Sequence, residues 1–239
     1  MENTMEPLIS GAEKLGIRIK ADQLEKFTIL LNTLLEWNKT MNLTGITDPK
    51  EVIIKHFLDS LTVLPHIPNN ARTYIDVGTG AGFPGLVVAI MKPKLNITLL
   101  EAAAKKVSYL EACITALELD PENVQSIHGR AEDLAKMPEF RESFDIGTAR
   151  AVALLPTLSE YVLPLIKKDG IFIAQKKAGT DEVDQASNAI KLLGAEVESS
   201  QALNLEELPE RQIIIIKKIS KTPDMYPRRS GMPLKKPLV

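Results

Sequence analysis

Apolar residues follow two different periods along the chain, and the change of period falls near residue 70. Before that point they recur every three or four positions, which is the spacing of one helix face. The first such stretch predicts an amphipathic helix that ends near Trp37, and Asp22 with Glu25 resembles a capping box at its start. Its apolar positions are Leu24, Phe27, Leu31, Leu34 and Leu35.

A second helical stretch begins just before residue 50. Asp48 is a favourable N-cap residue, Pro49 suits the first helical position, and Glu51 stands third after the cap. Its apolar positions are Val52, Ile53, Phe57, Leu58, Leu61 and Val63. No strand pattern of note appears before residue 70, so residues 1–70 are expected to form a helical N-terminal cap.

From residue 71 to residue 220, short β-type apolar runs alternate with helical ones. This alternation predicts an α/β fold with a mostly parallel sheet covered on both faces. The predicted strands lie near residues 73–77, 97–100, 124–128, 144–149, 171–175, 195–199 and 212–219, and the predicted helices near residues 84–91, 104–118, 156–166 and 182–193. The last strand follows a loop instead of a helix, which fits an antiparallel strand inserted in the sheet.

Residues 221–239 form a basic tail that contains four prolines and cannot build a regular helix or a central strand. We expect it to be extended and partly disordered. From Lys217 onward seven basic residues stand against one acid, although the whole chain of 239 residues has a net charge of −2. This local excess indicates contact with a polyanion such as RNA, or else a solvated charged end. The RNA-binding candidates beside Tyr226 are Arg228, Arg229, Lys235 and Lys236.

The composition is that of an ordinary soluble protein, with 44% apolar and 25% charged residues. No run approaches 18 apolar residues, and the N-terminus lacks the basic and apolar segments of a signal peptide. We therefore expect a cytoplasmic protein without membrane contact. We also expect a monomer, although no sequence pattern indicates the oligomeric state. Cys113 is the single cysteine, which excludes a disulfide framework and a cysteine-based metal site. No metal is expected.

Residues 73–85, TYIDVGTGAGFPG, carry the strongest chemical signal in the chain. A short β-type run ends at Asp76 and Val77, and three glycines follow within five positions: Gly78, Gly80 and Gly82. Glycines allow positive φ and let the backbone approach a ligand closely. The apolar helix after them completes the first half of a nucleotide-type βαβ unit, whose amide-rich helix start suits an electron-rich ligand group. The sequence therefore predicts a binding loop here.

Glu101 ends the next apolar run, about 20 residues beyond the loop, where a carboxylate can hold the two hydroxyls of a ribose. It could also cap the following helix. A dinucleotide such as NAD is possible, but the Asp76 carboxylate would repel its diphosphate. S-adenosylmethionine fits better, because it has no phosphate and carries a positive sulfonium and amino group.

Further polar residues fall at the ends of the predicted strands, where ligands bind in doubly wound sheets. Arg150 follows the fourth strand and Lys176 the fifth. On the second cap helix, His56, Asp59 and Ser60 share one face. This cluster could hold a substrate phosphate or base, or it could orient the cap on the main domain.

Several motifs together resemble the glucose-inhibited division protein B family, bacterial guanine-N7 methyltransferases of small-subunit (16S) ribosomal RNA. They are the glycine loop DVGTGAGFPG, the preceding NLT and HFLDS, then HGRAED, TARA and the YPRRSGMP tail. The resemblance runs from about Gly16 to the C-terminus. It implies a class I methyltransferase fold, a Rossmann-like seven-stranded sheet with a helical N-terminal cap, and a ribosomal RNA or ribosomal particle as partner.

Carried over residue by residue, the resemblance implies cofactor contacts at Gly78, Phe83, Ala131, Glu132 and Arg150. Two positions depart from the family pattern. Glu101 stands where the family usually has Asp, and Gln175-Lys176 replaces a Leu-Lys pair. The longer acid can still reach a ribose.

Methyl transfer to guanine N7 requires no general base, because N7 has an accessible lone pair and the cofactor activates the methyl group. Orientation would supply most of the acceleration. No catalytic residue is therefore assigned, and the candidates are Arg150 and Lys176. Arg150 could instead bind the cofactor carboxylate, an RNA phosphate or a structural carboxylate. The rival hypotheses are an NAD-dependent oxidoreductase and a non-catalytic RNA-binding adaptor.

Overall fold

A computed structural model describes residues 2–239, and the N-terminal part of this range is helical. Its helices are α1 (Glu2–Lys14), α2 (Ala21–Met41), α3 (Pro49–Val52) and α4 (Asp59–Leu61), and a π-helical turn, Ile53–Leu58, joins α3 to α4. No strand lies before residue 73 in the described range, as predicted.

The two predicted helix starts have different outcomes. The Asp48 side chain accepts a hydrogen bond from Glu51 N at 3.0 Å, so the predicted N-cap of α3 is confirmed. At the start of α2 the predicted pair of Asp22 and Glu25 is wrong, because Asp22 already lies inside the helix. Lys20 is the N-cap residue instead, and its N–H donates to the Gln23 side chain at 2.9 Å.

Seven strands form one mixed sheet, which confirms the α/β fold class. They are β1 (Thr73–Val77), β2 (Asn96–Glu101), β3 (Val124–His128), β4 (Phe144–Arg150), β5 (Ile166–Lys177), β6 (Ala195–Ala202) and β7 (Arg211–Lys218). Their order is β3-β2-β1-β4-β5-β7-β6. The first five are parallel, and β7 is inserted antiparallel between β5 and β6, as the sequence predicted. The order reverses between β1 and β4, which is where ligands bind in such sheets.

Helices cover both faces of this sheet. They are α5 (Gly85–Met91), α6 (Ala104–Ala116), α7 (Ala131–Leu134), α8 (Leu155–Val162), α9 (Glu182–Leu192) and α10 (Met232–Lys235). The predicted helix 156–166 is wrong at its end. Pro164 lies in a 3-10 turn, Leu163–Leu165, because it cannot continue the α-helical hydrogen bonds, and β5 starts directly afterwards.

The cap helices share one apolar core with a face of the sheet. Phe27 and Leu34 of α2, Phe57 of the π turn and Val87 of α5 are all fully buried in that core. A second core on the opposite face contains α8 and α9. The cap is thus held by an apolar core that it shares with the sheet.

The tail differs from the extended, partly disordered segment that the sequence predicts. It folds back against α8, with Tyr226 only 8% exposed, and ends in the single helical turn α10. The cause is a long-range contact: Arg228 binds Glu160 of α8, 68 positions earlier. Local sequence patterns cannot predict a contact between residues so far apart in the chain.

Candidate active site

The glycine loop joins β1 to α5 at the reversal point of the sheet. Gly78 and Gly80 have φ of +68° and +61°, in a backbone region that residues with a side chain rarely adopt. The nearest atom to a Cβ placed on Gly80 is Gly78 O at 3.9 Å, so this part of the loop is open. A Cβ on Gly82 would instead clash with Leu86 and Leu110 of the core. Gly82 therefore supports the loop from below and does not line the main cavity, so its predicted cofactor contact stays a prediction.

Asp76 lies beneath the same loop with no exposed surface. Its Oδ2 accepts from Thr79 Oγ1 at 2.6 Å and from Gly85 N at 2.8 Å, and its Oδ1 accepts from Thr148 Oγ1 at 3.0 Å. Burial raises the pKa of this carboxyl, and the three hydrogen bonds oppose that shift. The prediction that Asp76 faces a cationic ligand is corrected accordingly. Its role in this structure is to join the loop, the start of α5 and β4.

Glu101 reaches the loop from the end of β2. Its Oε2 accepts from Gly80 N at 2.9 Å and its Oε1 from Ala103 N at 2.9 Å. The side chain lines the cavity and is 8% exposed. Both predicted roles are therefore compatible, since the carboxylate orients the turn before α6 and still borders open space.

A cavity of about 840 Å³ opens above the glycine loop, and we call it the main cavity. It is lined by Gly78 to Ala81 and by side chains from the cap, from β2 and from the ends of β4 and β5. Among these are His56, Phe83, Glu101, Arg150 and Lys176. The carboxyl ends of the strands, together with the cap, thus bring seven of the fifteen residues that the sequence selected into one cavity.

Three of these side chains form a stack. The rings of His56 and Phe83 are 4.9 Å apart and nearly parallel, and the Arg150 guanidinium lies 5.5 Å from the Phe83 centroid. Arg150 donates to His56 Nδ1 at 3.1 Å, so Nε2 carries the proton that bonds Thr44 Oγ1 at 2.8 Å. Burial, followed by the Arg150 charge, lowers the pKa of His56 to about 4. The imidazole is neutral at pH 7.

Arg150 also ties the cap to the sheet. It donates to Asp59 Oδ2 at 2.7 Å and to Lys55 O at 2.9 Å. Asp59 has no exposed surface and is held a second time by Arg211 of β7, whose NH2 donates to Oδ2 at 2.8 Å. Ser60 bonds the backbone of its own helix. Of the predicted cluster on this helix, His56 alone lines the main cavity, and Asp59 is a structural anchor.

Lys176 contacts the loop after β4. Its Nζ lies 2.6 Å from Glu182 and donates to Ala153 O at 2.9 Å, and Glu182 accepts from Leu155 N at 2.7 Å. Both charged side chains are about 10% exposed. In this arrangement Lys176 positions the loop that borders the cavity.

A second cavity of about 180 Å³ adjoins the main cavity, and both are bordered by Gly78, Ala102 and Val152. Ala131 and Glu132, which follow β3, lie here. So does Leu234 of the tail. Leu234 could not be selected from the sequence, because no local pattern indicates that a leucine of the tail lies near the end of β3.

The four basic tail candidates separate into two groups. Arg228 is bound to Glu160 through its backbone N–H and its guanidinium. Arg229, Lys235 and Lys236 are exposed. Within residues 2–239 no group of three His, Cys, Asp or Glu side chains could hold a metal ion. No helix in the same range is long and apolar enough to cross a membrane.

Solved structures with low sequence identity share this fold. A SAM dependent methyltransferase from Aquifex aeolicus superposes with a TM-score of 0.52 at 17% identity, covering 72% of this chain and 94% of the other. A variant of the protein MtNAS, in complex with S-adenosylmethionine, superposes with a TM-score of 0.53 at 12% identity, covering 81% and 73%. At these low identities, the superpositions show a shared fold and nothing further.

Sequence relatives are much closer. A ribosomal RNA small subunit methyltransferase G of Desulfitobacterium hafniense is 45% identical over 95% of this chain and 94% of its own length. The protein of the same name in Bacillus subtilis is 43% identical, with 98% of each chain covered. The family model for GidB, described as rRNA small subunit methyltransferase G, matches residues 23–214. The chain belongs to this GidB family.

Proposed function

We propose that this protein transfers a methyl group from S-adenosylmethionine to N7 of a guanine in small-subunit (16S) ribosomal RNA. The observation that carries the proposal is the pair of adjoining cavities above the glycine loop, in a chain of this family. A ribosomal RNA substrate also fits a cytoplasmic protein, and we include that location in the proposal.

The residues around the cavities fit the cofactor. Gly80 offers backbone without a side chain at the open part of the loop, and Glu101 borders the same space with a carboxylate suited to ribose hydroxyls. Gly78, Phe83 and Arg150 line the main cavity, and Ala131 and Glu132 line the second. We propose these seven residues as the cofactor contacts. Asp76 and Gly82 would act from behind the loop.

The chain's own residues need only orient the reactants. S-adenosylmethionine supplies an activated methyl group, and guanine N7 has a free lone pair. Arg150 is bound to Asp59, Lys55 and His56, so its charge is already partnered and its position is fixed. We therefore propose Arg150 and Lys176 as positioning residues. The neutral His56 ring, stacked on Phe83, would give the purine a rigid border.

RNA contact is proposed at the mouth of the main cavity and on the tail. Lys55, Lys106 and Lys177 line the mouth and Arg229 is exposed on the tail, so the phosphates around a guanine that enters the cavity would meet positive charge. His56 would lie nearest the base. Arg228 is the exception, because its guanidinium is bound to Glu160.

Gly80→Val tests the cofactor site. A side chain at Gly80 would enter the open part of the loop, and we expect S-adenosylmethionine binding to fall by more than 100-fold in calorimetry. Gly179→Val is the matched control, because Gly179 also has a positive φ of +74° with nothing within 4 Å, and it lies outside both cavities. Both variants carry the same backbone strain of about 1–2 kcal/mol. Equal binding by both would contradict the proposed site.

Mass spectrometry of digested small-subunit RNA tests the reaction. RNA from cells that lack the gene should miss one methylated guanine, and the purified protein with labelled cofactor should restore it. Failure to label guanine would favour a non-catalytic RNA-binding protein. Tight binding of NAD without binding of S-adenosylmethionine would favour an oxidoreductase.

A further inference from the structure

The tail is attached to the body of the protein by specific hydrogen bonds. Glu160 of α8 has no exposed surface. Its Oε1 accepts from the backbone N–H and the Nε of Arg228 at 2.8 and 2.9 Å, and its Oε2 accepts from NH2 at 2.6 Å. Charge-assisted, two-pronged bonds of this kind fix orientation as well as position. The residues after Arg228 therefore start from a defined place.

Those residues run along the acids that follow β3. Gly231 N donates to Glu132 Oε1 at 2.8 Å, and Ser230 Oγ donates to Asp133 Oδ1 at 2.7 Å. Thr157 of α8 donates to Pro233 O at 3.2 Å. These contacts place α10 over the carboxyl end of β3.

Leu234 is the side chain that this arrangement presents to the second cavity. It lies among Ala131, Val152 and Tyr161 and is still 63% exposed. An exposed leucine at the border of a cavity is apolar surface that a ligand can cover. The cavity, at about 180 Å³, exceeds the roughly 150 Å³ that suffices for a benzene ring in other proteins.

We propose that residues 228–234 of the tail form a wall of the cofactor site, and that Leu234 covers one face of the cofactor's base. This inference rests on the proposed function. The ribose would lie at Glu101 on β2, and the base would extend toward β3, where the second cavity adjoins the main one at Gly78 and Ala102. The tail is then a positioning element for the cofactor.

Calorimetric titration with S-adenosylmethionine and with S-adenosylhomocysteine tests the wall. Leu234→Ala should weaken both ligands about tenfold, because truncation removes apolar surface that the base would bury. Leu234→Met should restore most of the affinity, since it returns apolar volume. Met225→Ala is the matched control: Met225 is an apolar tail residue, 71% exposed, outside both cavities, and its variant should bind as the wild type does.

The outcomes separate the two proposals. If the wild-type chain binds neither ligand, the proposed function fails. If the wild type binds and Leu234→Ala binds equally well, the wall is wrong and the function stands. Equal losses in Leu234→Ala and Met225→Ala would also overturn the wall, because the effect would then not be local to the cavity.

Discussion

The N-terminal cap and the C-terminal tail both reach the carboxyl ends of the parallel strands, and a buried carboxylate holds each of them there. Asp59 of the N-terminal cap binds Arg150 and Arg211 of the sheet, and Glu160 of the sheet-covering helix α8 binds Arg228 of the tail. Neither carboxylate has any exposed surface, whereas the arginines are 11–25% exposed. The two segments supply opposite partners of the ion pair: the cap contributes the acid, and the tail contributes the base.

The ends differ in how much else holds them. The cap shares a core with the sheet, so Asp59 cannot reach water unless packed helices separate. The tail buries few apolar side chains, so it can leave the surface and hydrate Glu160 at a limited cost. Equally buried ion pairs therefore need not contribute equally to stability, because the cost of breaking one depends on how easily water replaces the partner.

Asp59→Ala should have the largest effect. It leaves Arg150 and Arg211 without their buried partner, and breaking such a pair costs about 3–5 kcal/mol. Urea denaturation followed by circular dichroism should show this loss in the free energy of unfolding. The matched control is Glu51→Ala in the same cap, since Glu51 pairs with Lys55 in an exposed ion pair and should cost at most about 0.5 kcal/mol. Equal losses would mean that Asp59 is not an anchor.

Arg228→Met should cost less, about 1–3 kcal/mol, although it leaves the buried Glu160 carboxylate unpaired. Detachment of the tail limits the loss, because water can then reach Glu160. Trypsin should consequently cleave after Arg229 faster than in the wild type. A loss as large as that of Asp59→Ala, with no faster cleavage, would contradict a tail that detaches on its own.

The same contrast explains what the sequence could predict. The cap, the order of strands and helices, and the inserted antiparallel strand follow from local signals: helical spacing, N-cap residues such as Asp48, and alternation of apolar runs. The contact between Glu101 and the glycine loop could be predicted, because their spacing along one βαβ unit places them side by side. These features depend on neighbours in the chain.

The tail and the role of Asp76 could not be predicted in this way. The position of Arg228 depends on Glu160, 68 residues earlier, and prolines suggested only an irregular segment. Asp76 stands where a ligand contact is plausible, and only the fold shows that Thr79, Gly85 and Thr148 surround it. Whether a strand-end acid faces the cavity or the core is decided by packing that local patterns do not record.

His56 gives the stability of the cap a dependence on pH. Its pKa falls from the ordinary value of 6.5 to about 4 in the folded protein. Above pH 6.5 both states are neutral. As pH falls toward 4, the unfolded chain takes up a proton that the folded chain does not, so stability is lost through this window. At pH 5 the loss from this group is about 2 kcal/mol relative to pH 7.5.

Urea denaturation of the wild type and of His56→Gln at pH 7.5 and 5.0 measures this contribution. Between pH 7.5 and pH 5.0, the free energy of unfolding of the wild type should fall by about 2 kcal/mol more than that of the variant. His66→Gln is the comparison variant: burial lowers the pKa of His66 as well, so this variant measures the share of the pH dependence that comes from a histidine outside the main cavity. A variant with the wild-type pH dependence would show that His56 is not buried as a neutral ring.

The smallest effect on stability is expected from the exposed charges of the tail. Lys235→Gln combined with Lys236→Gln should change the free energy of unfolding by less than about 0.5 kcal/mol, because both side chains are exposed. If the two lysines contact phosphates, RNA affinity should fall. The slope of the logarithm of the binding constant against the logarithm of salt concentration should become shallower by roughly 0.7–0.9 per lost contact. Lys92→Gln with Lys94→Gln is the matched control, since both precede the amino end of β2, opposite the cavity edge. Equal RNA affinity in the two double variants and the wild type would exclude Lys235 and Lys236 as RNA contacts.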